Sequence, residues 1–377
     1  MKAGPLILVA ALLSGLAIAP ASAVADVPRP TASHSFESNG SATVGLIWYF
    51  GGSAPVLGAN DELWSLRPSN VTWTKITPQG TERPQARHAH LSAYDTDQQL
   101  YIVFGGVAGG AWVDDTWHYT PAANQWSSSL GCPSGPSPPP GPAPRWLGAM
   151  AYNPASAEVA MFGGEDPRPV GGLYGDTWTL QIIDGAACWT ERGPLNPSPS
   201  ARASTAMAYV PTRGTLVLYG GNMGGQVSGI FCDLWEWDGS TWREIAQTGG
   251  PCIRDHSLAF DELSGRLVVF GGQLNPWDDM QPSLSTFFYQ FATGTWTEEA
   301  SPVSPPRAGA PMALDREARA FVLFGGTDGT TYFGDTVIIP IAFEPLVPAL
   351  SFLGFALLAS LLVAATFPML RRRAARG

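Results

Sequence analysis

The chain has 377 residues, 45% of them hydrophobic and 14% charged, whereas about 25% charged residues is typical of soluble domains. Its 43 glycines and 34 prolines fit a chain with many turns. The net charge is −10, and because residues 1–25 and 345–377 hold five basic and no acidic residues, the part between them has 16 basic and 31 acidic residues; such an acidic body argues against binding to nucleic acid or to anionic lipid.

The first 25 residues have the pattern of a secretory signal. Lys2 precedes a long apolar stretch, which ends in the small residues Ala21-Ser22-Ala23. We therefore predict a signal peptide at residues 1–25, with cleavage after Ala23 or Ala25. The alternative is an uncleaved N-terminal membrane helix.

An apolar run that ends in two glycines recurs six times along the chain. The pairs are 51 to 58 residues apart, and a period near fifty indicates a repeat architecture. Each run is short and rich in β-branched and aromatic residues, which is typical of strands buried on both faces. Glycine at a strand end permits a positive φ or a close backbone approach. The pairs are Gly51-Gly52, Gly105-Gly106, Gly163-Gly164, Gly220-Gly221, Gly271-Gly272 and Gly325-Gly326.

Further residues recur in phase with the glycine pairs. A tryptophan follows each of the first five pairs after about 20 to 25 residues, with another aromatic strand between. Upstream of most pairs, an arginine precedes a strand of small residues. Four strands per repeat around an axis are the blades of a propeller. The tryptophans are Trp73, Trp126, Trp189, Trp242 and Trp296, and the arginines are Arg87, Arg145, Arg202, Arg254 and Arg307.

In these residues the chain resembles the kelch repeat family, whose blade motif is an apolar strand ending in Gly-Gly, then a spaced aromatic residue and a Trp. The resemblance covers about residues 31–343. It implies an all-β, kelch-type β-propeller of about six four-stranded blades, which we place at residues 26–344. The sixth repeat has Asp335-Thr336-Val337 and no later Trp, so its outer strand is either missing or supplied from elsewhere in the chain. The first repeat lacks the arginine, and we expect its inner strand near residues 34–37.

The recurring arginines allow two interpretations. They would form a basic ring near one mouth of the axial channel, which attracts an anionic ligand, or each would pair with an acid and hold neighbouring strands together. We favour the pairing, because the repetition follows the blade rather than one site. The candidate acids are Asp115, Asp176, Asp233 and Asp335.

Four cysteines lie in the part of the chain that we predict to be exported, where disulfides form. Three pairings are possible. We favour Cys232–Cys252, which are close in sequence, and Cys132–Cys188, which lie in neighbouring repeats. The alternative is four buried free thiols, and without a Cys-x-x-Cys motif a zinc site has no support.

The loops after the glycine pairs are natural places for binding residues. Trp112 and Trp277 lie outside the regular blade positions, where an exposed indole would stack on a sugar, anchor a partner, or pack over the blade below. His90 and His256 occupy matching places in their repeats and would either approach each other across the channel or form local hydrogen bonds. The candidate binding residues are Trp112, Trp277, Asp278, His90 and His256.

No motif of a hydrolase, metalloprotease or phosphate-binding loop occurs in the chain. We predict no catalytic residue, no metal site and no cofactor. The leading hypothesis is a non-catalytic propeller that binds an extracellular protein or a glycan. The alternative is an extracellular carbohydrate-active enzyme of a galactose-oxidase-like or sugar-isomerase-like kelch type, although no motif here matches the copper ligands of the former. A third possibility is an accessory subunit of a membrane complex.

The C-terminal end has the pattern of a membrane anchor. Residues 346–370 are an uncharged apolar stretch of 25 residues, which is enough to cross a hydrocarbon core of about 30 Å. Arg371, Arg372, Arg373 and Arg376 follow and place that end in the cytoplasm. We predict a single-pass protein of the cell membrane, with a transmembrane helix at residues 345–370, a basic cytoplasmic tail at residues 371–377, and the propeller outside. Alternatively, Phe343-Glu344-Pro345, the span and the arginines resemble the sorting tails of some prokaryotic surface proteins, whose span is removed after export.

Overall fold

A computed structural model describes residues 27–341, apart from residues 42, 55–56, 129–131, 133–140, 167–171, 225–228, 275–281 and 304. The predicted signal peptide and the predicted transmembrane helix lie outside these residues. In the described part of the chain the regular structure is β-strand, with a single 3-10 turn at Pro68–Asn70. None of the helical structure in this part is long and apolar enough to cross a membrane.

The strands follow the repeats. The first repeat contains β1 (Ser35–Ser38), β2 (Ile47–Phe50), β3 (Ser53–Ala54), β4 (Gly58–Ala59), β5 (Leu63–Arg67) and β6 (Thr72–Ile76). The second contains β7 (Arg87–His88), β8 (Leu91–Asp95), β9 (Leu100–Phe104), β10 (Val107–Ala108), β11 (Ala111–Trp112), β12 (Thr116–Thr120) and β13 (Gln125–Ser128). The third contains β14 (Ala149–Asn153), β15 (Glu158–Phe162), β16 (Thr177–Ile183) and β17 (Ala186–Glu191). The fourth contains β18 (Ala206–Val210), β19 (Thr215–Tyr219), β20 (Leu234–Trp237) and β21 (Trp242–Ala246). The fifth contains β22 (Arg254–Asp261), β23 (Arg266–Gln273), β24 (Ser285–Gln290) and β25 (Thr295–Ala300), and the sixth contains β26 (Met312–Asp315), β27 (Ala320–Phe324) and β28 (Thr336–Pro340).

Each repeat forms one antiparallel blade. The strand orders are β1-β2-β5-β6, β8-β9-β12-β13, β14-β15-β16-β17, β18-β19-β20-β21, β22-β23-β24-β25 and β26-β27-β28. Five blades therefore have four strands, as predicted, whereas blade 6 has three within the described residues. The inner strand of blade 1 lies at Ser35–Ser38, close to its predicted place.

The six inner strands pack side by side around an axis, and the ring closes because β1 contacts β26 as well as β8. One residue shortly before each inner strand has a left-handed backbone conformation and donates its N–H to the carbonyl of its counterpart in the preceding blade. At the closure, Ser33 N donates to Gly309 O at 3.4 Å. These residues, which we call the collar, are Ser33, Ala89, Leu147, Ser204, Asp255 and Gly309.

Tryptophans of the outer strands join neighbouring blades a second time. In three interfaces the indole N–H donates to a threonine hydroxyl of the preceding blade, and one of these contacts closes the ring between blades 1 and 6. The pairs are Trp73–Thr336 at 2.9 Å, Trp189–Thr116 at 2.9 Å and Trp242–Thr177 at 2.8 Å. Blade 6 is therefore held to blade 1 by the same contact that joins complete blades.

The core lies between the blades. Every residue of β9 and of β27 is buried, which confirms that the runs before the glycine pairs are strands covered on both faces. The outer tryptophan of one blade packs on the phenylalanine that precedes the glycine pair of the blade before it, as Trp242 does on Phe162 with ring centroids 5.3 Å apart.

Because successive strands alternate in direction, their connections lie at two ends of the propeller. The loops from second to third strands, and the connections between blades, form what we call the loop face. The turns from first to second and from third to fourth strands form the turn face. Ile341, the last described residue, follows a third strand and therefore lies at the turn face.

Candidate functional site

Four of the recurring arginines are buried clamps within the blades. Arg202 is fully buried, and its Nη1 and Nη2 donate to Asp233 Oδ1 and Oδ2 at 2.7 and 2.8 Å. Nη1 also donates to Gly220 O at 3.0 Å, and the guanidinium lies 3.9 Å from the ring centroid of Phe231. Although burial alone would raise it, the hydrogen bonds and charge of Arg202 hold the pKa of the Asp233 carboxyl below its usual range. The same clamp occurs at Arg87–Asp115, Arg145–Asp176 and Arg307–Asp335.

These contacts confirm the pairing of arginine with the acid of the repeat, and the basic ring is wrong for these four residues. Arg254 was also wrongly included in the series. The carbonyl of Ile253 accepts from Gly221 N at 2.8 Å, as the carbonyl of each clamp arginine accepts from a glycine N–H. Blade 5 has Ser285 at the place of the clamp acid, so an arginine at position 253 would be buried without a counter-charge. Arg254 instead begins β22 and pairs with Asp255 at 3.3 Å.

The predicted histidines pack between blades. A Cβ added at Gly51 would lie 2.9 Å from Cε1 of His90, and one added at Gly220 would lie 2.9 Å from Cε1 of His256. Burial holds the pKa of His90 well below its usual value and lowers that of His256 to about 3, so both imidazoles are neutral. His90 Nε2 shares a hydrogen bond with Ser35 Oγ at 2.7 Å, whereas both ring nitrogens of His256 are buried without a partner. Both histidines line the axial cavity, and their part in binding stays a prediction.

The axial cavity runs between the inner strands and has a volume of about 430 Å³. Ser92 Oγ donates to Glu37 Oε1 at 2.6 Å inside it, and burial raises the pKa of Glu37 to about 8, so this carboxyl is neutral at pH 7. Burial also lowers the pKa of His34 to about 3. These side chains therefore offer hydrogen bonds but no charge to the cavity near neutral pH.

Exposed apolar side chains occur in the loops after the glycine pairs. Trp112 is 41% exposed and ends the ribbon β10–β11. It pairs across this ribbon with Val107, which pairs in turn with His88 of β7. Directly paired residues share one face of a sheet, so a short three-stranded sheet supports the indole. The exposed apolar residues of these loops are Leu57, Trp112, Met223, Leu274 and Leu284.

The remaining candidates have mixed outcomes. Trp277 and Asp278 fall in residues 275–281, outside the described residues, and stay predictions. The two favoured disulfides, Cys132–Cys188 and Cys232–Cys252, are both present. Across the described residues, no group of three or more histidine, cysteine, aspartate or glutamate side chains is placed to hold a metal ion, so the copper-enzyme alternative gains no ligand set from them.

Sequence reasoning missed His34 and Glu37. His34 follows the collar residue Ser33 directly, as His90 follows Ala89, so counting back from the glycine pairs would have found its equivalence. Glu37 gave no such signal, because its neutral state depends on burial beside an inner strand more than fifty residues away.

The comparison with known families agrees with this architecture. The family model described as the KLHDC2/KLHL20/DRC7 Kelch-repeats domain matches residues 16–221, more than half of the chain. The chain belongs to the kelch-repeat family. The resemblance seen in the glycine pairs and tryptophans is thereby confirmed.

The kelch propeller is also similar to parts of larger proteins. It is 27% identical over 250 residues to the serine/threonine-protein phosphatase BSL2 of Arabidopsis thaliana, covering 63% of this chain and 22% of that protein. It is 32% identical over 193 residues to human multiple epidermal growth factor-like domains protein 8, covering 48% of this chain and 6% of that protein. The chain thus spans less than a quarter of the length of these relatives.

Proposed function

We propose that this kelch propeller is an exported, membrane-tethered module that binds a protein partner on its loop face. The observation that carries the proposal is the set of exposed apolar side chains in the loops of blades 1, 2, 4 and 5, with Trp112 fixed on a short sheet. Tryptophan is enriched among the residues that dominate binding energy in protein interfaces. The clamps and packed histidines, in contrast, are accounted for by the scaffold.

Export and tethering rest on the ends of the chain and on the cysteines. Both cysteine pairs are bonded, which fits an oxidising compartment. The signal at residues 1–25 would direct export, and the span at residues 345–370 would hold the protein in the cell membrane with residues 371–377 in the cytoplasm. The described chain ends at the turn face, which leaves the loop face free of the exit of the chain.

The proposal is tested by placing a photo-crosslinking amino acid at position 112 of the full chain in its native membrane. The matched control is position 183, because Ile183 is 42% exposed but lies at the turn face. We expect an adduct of protein mass from position 112 and none from position 183. A glycan adduct from position 112, or equal adducts from both positions, would overturn the assignment of a protein to the loop face.

Tethering is tested separately by fractionation of intact cells. A propeller that stays in the membrane pellet after alkaline extraction, and that is cut by added protease without cell lysis, supports the proposed topology. Release of the propeller into the medium would instead support removal of the span after export.

A further inference from the structure

The outermost strand of blade 6 has an unpaired edge. Gly325 N donates to Asp335 O at 3.2 Å and Ile341 N donates to Arg319 O at 3.0 Å. These bonds show that alternate residues of β28, starting from Val337, direct their peptide groups towards β27. Thr336 and Ile338 therefore direct N–H and C=O outwards, and Pro340 directs only its C=O outwards. Within the described residues no strand pairs with this side of β28, which we call the open edge.

Little in the sequence of β28 protects the open edge. Natural edge strands are commonly blunted by charged side chains, bulges or proline. β28 has no charged residue, its register with β27 is regular, and Pro340 blocks only the end at the turn face. Ile338 and Ile339 are half-buried, and Ile338 packs with blade 1 whereas Ile339 packs with blade 5. A strand laid along the open edge would extend an existing core on both sides.

A buried hydroxyl indicates what the missing strand carries. Thr116, Thr177 and Thr336 each pair with the phenylalanine before a glycine pair and accept a tryptophan N–H from the next blade. Thr286 has the same register place, opposite Phe270. It is 6% exposed, and its Oγ1 has no hydrogen-bond partner, because no outer tryptophan follows in blade 6. Val303 packs in the cluster around Phe270 instead.

The downstream part of the chain is poorly suited to supply this strand. β25 begins five residues after β24 ends, and the same spacing after Pro340 places Pro345 at the start of a fourth strand, with Pro348 three residues on. Proline lacks the N–H that a paired strand needs. Residues 342–377 also contain no tryptophan.

The upstream part is too short once the predicted signal peptide is removed. The carbonyl of Thr31 accepts from Gly326 N as that of Arg307 accepts from Gly272 N, so the two residues are equivalent. Six residues, 301–306, separate the fourth strand of blade 5 from Arg307. Cleavage after Ala23 leaves seven residues before Thr31, which is one more than this connection needs and not enough for a strand.

We propose that the open edge accepts an extended segment of a partner protein, which pairs antiparallel with β28 as the fourth strand of blade 6. The segment exchanges backbone hydrogen bonds with Thr336 and Ile338. It carries a tryptophan that displaces Val303 and donates its indole N–H to Thr286. This surface is separate from the loop face and does not depend on the function proposed for that face.

A strand from this chain serves as the probe, because the other blades show what a fourth strand looks like. The peptide is residues 240–247, which contain β21 with Trp242, and its matched control carries Trp242→Ala. Binding to the purified full chain is measured by fluorescence anisotropy, and the site is located by hydrogen exchange resolved at single amides.

In the free protein, the amides of Thr336 and Ile338 should exchange quickly and those of Val337 and Ile339 slowly. The peptide should slow exchange at Thr336 and Ile338 at least tenfold and bind at least tenfold more tightly than its alanine control. Ile338→Pro, which removes one outward N–H, should abolish binding, whereas Ile338→Thr should retain it. Neither variant should change crosslinking from position 112.

Three results would overturn the proposal. No binding of the peptide at millimolar concentration, or binding that protects amides elsewhere, excludes strand addition at the open edge. Slow exchange of Thr336 and Ile338 in the free protein shows that the edge is already covered. In that case, dependence on protein concentration identifies a second copy as the cover, and loss on N-terminal truncation identifies the chain's own upstream segment.

Discussion

Removing one acid from a clamp should destabilise the whole propeller. Asp233→Ala leaves the fully buried Arg202 with hydrogen bonds only to backbone carbonyls, of Gly220 at 3.0 Å and Ser200 at 2.9 Å. It also removes the bond of 2.7 Å that Trp235 Nε1 donates to Asp233. Breaking a buried ion pair from one side costs about 3–5 kcal/mol. With a urea m-value of about 3 kcal/mol/M, the unfolding midpoint should fall by roughly 1–1.5 M.

Urea titration followed by tryptophan fluorescence measures this shift, and two comparisons interpret it. Asp114→Ala removes an exposed aspartate beside another clamp and should change the unfolding free energy by no more than about 0.5 kcal/mol. The double change Arg202→Met with Asp233→Leu removes both charges and should restore much of the loss. A cost below about 1 kcal/mol for Asp233→Ala, or a double variant no more stable than the single one, would refute the clamp as a buried, mutually dependent pair.

Three further predictions concern stability. Gly163→Ala should cost clearly more than the about 1–2 kcal/mol of a left-handed residue, because its Cβ would lie 2.6 Å from Arg202 O, whereas Gly265→Ala at a similar φ meets nothing and should cost no more than that; equal thermal shifts would contradict this. Opening the Cys232–Cys252 bond, which closes a separation of 20 residues, by two serine changes should lower the unfolding free energy by about 3 kcal/mol in a denaturant titration. Hydrogen bonds from Arg213 and Arg243 outweigh burial and lower the pKa of Glu236 from 4.5 to about 2, so its contribution of about 3 kcal/mol should be complete above pH 4.5 and be lost as the pH falls towards 2; a Glu236→Gln variant with an unchanged acid profile would contradict it.

The parts of the fold that repeat could be predicted from sequence. A glycine pair, an arginine and a tryptophan in each blade report the same backbone geometry several times, so the period identifies the strands even where a single blade departs from it. The clamp was predicted in this way, because Arg202 and Asp233 each recur at fixed places. Arg254 was wrongly included because it stands one residue from the clamp position, and a spacing read without the register does not resolve one residue.

Features that depend on contacts between distant blades could not be predicted. Ring closure rests on Trp73 and Thr336, which are 263 residues apart, and no local pattern joins them. The collar is a backbone conformation adopted by serine, alanine, leucine, aspartate and glycine alike, so no residue type marks it. Exposed positions in the loops were partly foreseen at Trp112, but Met223 and Leu284 lie in loops whose lengths differ between blades.

The most direct test of the loop face as the binding surface compares two variants for the partner captured at position 112. Trp112→Ala and Ile183→Ala remove side chains of nearly equal exposure, 41% and 42%, from opposite ends of the propeller. Affinity is measured by calorimetry after equal thermal stability has been verified. A central tryptophan commonly contributes at least about 2 kcal/mol, or roughly a thirtyfold change in Kd. The account predicts at least a tenfold rise in Kd for Trp112→Ala and no change for Ile183→Ala, and an unchanged Kd for Trp112→Ala would contradict it.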